Sequence, residues 1–106
     1  MTQLRLTHSD NGKTIDLTPD TRLVLVLAEN STTGYRWAID PIEPPVVELV
    51  SNEYTIDPGV GYGSGGTRQL EFRVVRSGES RLSLRLVREW DPAMIAMRFA
   101  VILRVQ

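Results

Sequence analysis

His8 is the only histidine in a chain of 106 residues that contains no cysteine. Thiolate nucleophiles, disulfides and sulfur ligation of zinc or iron are excluded. General-base catalysis would fall to His8, which runs into the turn-prone Ser9-Asp10-Asn11-Gly12 and reads as a solvated surface imidazole. Ser64 stands between glycines, but Tyr62 occupies the first glycine position of a G-x-S-x-G elbow. Glu43, Glu48, Glu53 and Asp57 fall at no ligand spacing and read as a solvated face. These residues support neither an enzyme nor a metal or cofactor site.

Three other stretches carry more information. Asn30-Ser31-Thr32-Thr33-Gly34-Tyr35 follows the apolar run LVLVLA and is either an ordinary hairpin connection or a shaped tip. Its paired threonines favour the second reading, because β-branched residues prefer strands. Gly61, Gly63 and Gly66 spell G-x-G-x-x-G, yet TRQLEFRVV follows with strand periodicity where a dinucleotide loop needs a helix N-terminus. That leaves a flexible hairpin or a recognition loop whose backbone approaches a partner closely. Trp90, between Arg88-Glu89 and Asp91-Pro92, either folds back on the core edge or stands exposed as a binding anchor.

Period-2 alternation predicts the elements that must hold these stretches. Leu23, Leu25 and Leu27 share one face; so do Leu70, Phe72 and Val74; Leu82, Leu84 and Leu86; and Phe99, Val101, Leu103 and Val105. Glu71, Arg73, Arg81, Ser83, Arg85, Arg98 and Arg104 point the other way. Turn residues separate about eight strands, near 3–7, 13–17, 22–28, 35–39, 46–56, 67–76, 79–88 and 96–105. DPAMIAM at 91–97 has room for one helical turn but not for a packed helix. Short strands at this spacing indicate a β-sandwich or barrel, and in a sandwich alternate connections fall at the same end. The loops at 30–34, 57–66 and 89–95 are therefore expected to form one edge. Trp37, two residues past Tyr35, is expected in the core.

Composition agrees with one domain: 42% hydrophobic residues suffice for a single core. The formal charge of −1 offers no basic face for nucleic acid, and no segment approaches the roughly 20 apolar residues that cross a bilayer.

Taken together, the three loops resemble those of the chagasin-type inhibitors of papain-like cysteine peptidases. That family carries N-P-T-T-G-[YF], G-x-G-G and R-P-[WF], in this order, on an immunoglobulin-like β-sandwich. The corresponding stretches are Asn30-Ser31-Thr32-Thr33-Gly34-Tyr35, then Gly63-Ser64-Gly65-Gly66 followed by Thr67, then Arg88-Glu89-Trp90. Ser31 and Glu89 replace the prolines of the first and third motifs, and each replacement is worth up to about 1 kcal/mol of loop ordering. Glu89 also places a carboxylate beside the proposed anchor.

The resemblance implies an all-β, immunoglobulin-like sandwich of seven to eight antiparallel strands, with residues 1–106 forming one inhibitor domain. It implies that Thr32 and Thr33 enter the peptidase cleft near its catalytic cysteine and histidine. The glycine loop would then lie along the non-primed side, and Trp90 would stack on the primed side. The expected partner is a papain-like cysteine peptidase, bound by a monomer without cofactor, nucleic acid or membrane. MTQLRLTHSDNGKT lacks a leader's pattern, so the chain as given reads as cytoplasmic, or as periplasmic or secreted if a leader was removed. The alternative is an adhesion or carbohydrate-binding module, which requires further exposed aromatics such as Tyr54 and Tyr62. A small hydrolase would require a pocket joining His8 to a nucleophile.

Overall fold

Alternating leucines and valines fix eight strands in a computed structural model that describes residues 2–56 and 65–106. They are β1 (Thr2–Thr7), β2 (Thr14–Leu17), β3 (Thr21–Glu29), β4 (Tyr35–Ile39), β5 (Val47–Ile56), β6 (Gly66–Val74), β7 (Gly78–Arg88) and β8 (Asp91–Val105). Two four-stranded sheets result, ordered β1-β3-β6-β5 and β2-β8-β7-β4. Each turns its apolar parity inward. Leu23, Leu25, Leu27, Leu70 and Phe72 of one sheet meet Leu82, Leu84, Phe99, Val101 and Leu103 of the other, and all ten are buried. Val74 and Leu86, assigned to the same faces, are only partly buried against this core. Trp37 joins the core at 6% exposure and donates its indole N–H to the Ala28 carbonyl at 2.9 Å.

The outward parity carries arginines that meet carboxylates on neighbouring strands. Arg22 pairs with Glu71, Arg73 with Glu48, Arg85 with Asp40 and Arg104 with Glu79. The two exposed pairs, Arg73–Glu48 and Arg104–Glu79, add little stability each, and all four satisfy a charged sheet face that the core cannot use.

An all-antiparallel sandwich was expected, and two pairings depart from it. β1 runs parallel to β3, and β2 parallel to β8. Successive strands alternate in direction, so neighbours separated by an even number of steps along the chain must be parallel. β1 and β3 are two steps apart because the intervening β2 crosses to the other sheet. β2 and β8 are six apart.

DPAMIAM also departs from expectation, being strand throughout. Arg88 pairs with Asp91 across a turn made of Glu89 and Trp90 alone, and Val87 pairs with Ile95 and Leu86 with Met97. Pro92, Ala93 and Met94, and then Ala96, are therefore extra residues on β8, accommodated by two register shifts in a stretch where a proline costs no ladder hydrogen bond.

Candidate functional site

Register decides where the three loops emerge. Glu29, the last residue of β3, lies opposite Gly66, which also pairs with Ile56. The start of the 30–34 loop and the strand ends Ile56 and Gly66 thus lie side by side. Across the molecule Tyr35 pairs with Arg88, which brings the β7–β8 turn to the same pole. The expected edge is present at all three roots. Of the glycine-loop residues, Gly63 and Ser64 lie outside the described residues, whereas Gly65 and Gly66 lie within them.

In the first loop, Ser31–Thr33 form a turn of 3-10 helix. The Asn30 side-chain oxygen accepts the Thr32 amide at 3.0 Å and the Thr32 hydroxyl at 2.7 Å. The Thr33 hydroxyl donates to the Asn30 carbonyl at 2.7 Å and accepts the Tyr35 amide at 3.4 Å. Each threonine thus closes the turn with its hydroxyl. Both remain exposed at its tip. The chain then reverses at Gly34, whose φ of +80° favours glycine.

Gly34 has a second reason to lack a side chain. A Cβ there would lie 2.3 Å from Cη2 of Trp90, so the indole rests directly on the glycine backbone. Trp90 is nevertheless 71% exposed. Arg88 sits between the two loops: its guanidinium lies 4.4 Å from the Tyr35 ring centre and 5.7 Å from that of Trp90, and its Nε donates to the Thr33 carbonyl at 3.2 Å. Cation–π contacts at exposed sites contribute about 0.5–1 kcal/mol. Together these contacts join the first and third loops into one body. Glu89 turns aside to pair with Arg36 at 3.1 Å, so its carboxylate already has a cation from β4.

A buried ion pair, which the sequence reading passed over, supports the roots. Glu29 is 4% exposed, and its carboxylate takes both Nε and Nη2 of Arg68, at 3.2 and 2.6 Å, as well as the Trp37 amide at 2.9 Å. Arg68 also donates to the Asn52 side chain, and its guanidinium lies 5.3 Å from the Tyr54 ring centre. The Tyr54 hydroxyl donates to the Glu29 carbonyl at 3.0 Å, and a Cβ on Gly66 would lie 2.5 Å from that hydroxyl. The first and second loops therefore share one foundation. A signal for it existed: the parity that buries Leu23, Leu25 and Leu27 also buries Glu29, and the parity of Leu70 and Phe72 extends back to Arg68.

Tyr54 is thus engaged in the scaffold and offers no free platform for a sugar, and Tyr62 lies outside the described residues. His8 is exposed, 6.4 Å from the Phe99 ring between centroids. Among the described residues no cluster of His, Cys, Asp or Glu could hold a metal, and no helix is long and apolar enough to cross a membrane.

Residues 16–103 match the family model described as "Chagasin family peptidase inhibitor I42". The chain belongs to the chagasin family of peptidase inhibitors. Amoebiasin-1 of Entamoeba histolytica is 30% identical over 105 residues, covering 97% of this chain and 100% of its own. Chagasin of Trypanosoma cruzi is 28% identical over 105 residues, covering 94% and 96%. A crystallised cysteine protease inhibitor of Entamoeba histolytica, at 17% identity, shares the fold with a TM-score of 0.89 over 99% of this chain and 96% of that one. Membership places the chain among inhibitors and not enzymes. The Thr-Thr tip, the Gly65-Gly66 root and the Arg88–Trp90 turn of this chagasin-family chain stand at one pole.

Proposed function

We propose that the chain is a reversible, tight-binding inhibitor of papain-like cysteine peptidases that fills the substrate cleft with the loops of its 30–34 pole. The residues assigned to contact are Asn30, Ser31, Thr32, Thr33, Gly34 and Tyr35; Gly63, Ser64, Gly65 and Gly66; and Arg88, Glu89 and Trp90. One observation carries this reading: a largely exposed indole is fixed against Gly34 and Arg88 beside a turn whose threonine hydroxyls are internally bonded. An exposed aromatic held rigidly is what an interface anchor requires, because little freedom is lost when it docks.

The loops perform no chemistry. A tip closed by its own hydrogen bonds enters the cleft as a folded turn and need not present a peptide carbonyl to the thiolate in near-attack geometry. Burying roughly 800 Å² on each partner would make a standard tight interface. The two missing family prolines are offset here, Ser31 by the Asn30–Thr32 and Asn30–Thr33 bonds and Glu89 by the Arg36 pair and the Trp90–Gly34 contact.

Titrating papain and cathepsin-type peptidases with the protein tests this reading. Stoichiometric inhibition that reverses on dilution, with the inhibitor recovered uncleaved, is the expected result. An absence of inhibition at micromolar concentration overturns it.

A further inference from the structure

The family motif ends at Trp90, but the apolar surface does not. Three side chains combine large size, apolar character and the greatest exposure among the described residues: Trp90 at 71%, Ile56 at 65% and Met94 at 61%. All three stand at the loop pole, Ile56 at the root of the glycine loop and Met94 on the bulge after Trp90. Val50 on β5 follows at 46% and Met97 at 44%, and of these two Met97 lies on the strand that carries Met94. Between Trp90 and Arg98 the sequence DPAMIAM carries one charge, Asp91, and all of its residues but the partly buried Ile95 are exposed.

Among the described residues, no strand pairs with this segment's outer edge. β2 pairs with β8 only from Ile102 to Val105, and the Asn11–Gly12 turn reaches no further than Ala100. Among the described residues, 91–99 thus have strand pairing from β7 on one side alone. The same strand continues into the core through Phe99, Val101 and Leu103, which holds its exposed half on a rigid base. Exposed apolar residues grouped along one rigid element mark a candidate interaction surface, and methionine suits one that meets partners of varying shape.

We infer that Met94 and Met97 form a fourth contact element, which lies on the apolar wall of the bound peptidase beyond the Trp90 contact and sets which peptidases are held most tightly. This rests on the inhibitory reading above. The occupant is the peptidase itself, because Met94 and Met97 lie on the strand that leaves the turn bearing Trp90. The three family loops supply cleft occupancy common to all targets. The methionines stand outside those three loops, so their contribution is the one that need not be common to all targets.

The test measures inhibition constants of Met94→Glu, Met97→Glu and the double variant against a panel of papain-like peptidases, with thermal midpoints recorded for each. Leu49→Glu serves as control, since Leu49 is 43% exposed near the opposite end of β5. Met94→Glu is expected to weaken inhibition roughly tenfold or more for some members and much less for others. Met94→Leu should remain within about threefold of the parent, and Leu49→Glu should leave every constant unchanged. Met94 is the more exposed of the pair, so its variant keeps the test decisive if Met97→Glu disturbs the fold. Unchanged constants for Met94→Glu across the panel, with the parent protein inhibiting normally, overturn the inference. A uniform loss for every enzyme overturns its claim on selectivity. If the parent protein inhibits no member, the inhibitory reading falls and this inference with it.

Discussion

Adjacent threonines are awkward in a tight turn because branching at Cβ favours extended backbone. Thr32 and Thr33 resolve the conflict by directing their hydroxyls inward to Asn30 and to the Tyr35 amide. The stretch was therefore legible from residue type, since Asn, Thr, Thr and Gly each have a reason to be there. The contact between Trp90 and Gly34 was not. It depends on Tyr35 pairing with Arg88, and no local pattern reports a register between residues so far apart in the chain. Trp90→Ala is expected to cost roughly 2 kcal/mol or more of peptidase binding, with little change in the thermal midpoint because most of the ring faces solvent. Inhibition constants and calorimetry on the same preparation separate the two effects. Ser80 behaves in the opposite way. It is 5% exposed, opposite Leu103 on the core-facing side, with no hydrogen-bond partner for its hydroxyl among the described residues. Ser80→Ala should stabilise the fold by about 1 kcal/mol, read as a raised urea midpoint at unchanged slope. A lowered midpoint would mean that the hydroxyl is satisfied in solution.

At the scale of elements, alternation located the strands to within two or three residues at most of their ends, because a half-buried strand must show period 2. The start of β8 escaped it. Pro92, Ala93 and Met94 break the alternation and belong to a bulge, which follows from pairing with β7 and not from propensity. Strand direction was equally hidden, since the choice of sheet for β2 determines whether β1 and β3 run parallel. The Glu29–Arg68 pair links β3 to β6 beneath two loops, and its energetics turn on burial: the Glu29 side chain is 1% exposed and that of Arg68 16%. Removing one partner leaves the other as an uncompensated charge, which typically costs about 3–5 kcal/mol. Arg68→Met should fall in that range by denaturant unfolding. The double variant Glu29→Gln, Arg68→Met should recover part of the loss, because the amide oxygen still accepts the Trp37 N–H. Equal losses in the single and double variants would show that packing of the Arg68 stem, and not its charge, is what matters.

The whole molecule is a slab with principal extents of 45 × 32 × 21 Å, and its connections are divided between two poles. The turns at 18–20, 40–46 and 75–77 lie at one pole; the 30–34 and 89–90 connections lie at the other, together with Ile56 and Gly66. Long-range pairing dominates, down to a sheet edge closed by residues 14–17 against 102–105. Such topology folds slowly relative to helical domains of equal length, and it holds distant loops in fixed relation once formed. With no cysteine, none of this depends on oxidation. The thermal midpoint and the inhibition constant should therefore be the same with and without the thiol reductant that keeps a cysteine peptidase active. A shift in midpoint on adding reductant would contradict a fold held by packing and hydrogen bonds alone.

Because β1 and β2 run parallel to their partners, Thr2 pairs with Thr21, and Leu17 and Gly78 both pair with Val105. Both the first and the last strand therefore open onto the face remote from Thr32, Thr33 and Trp90. A carrier protein, a fluorophore or a solid support joined at either extremity would hang behind the molecule, leaving its working front unobstructed.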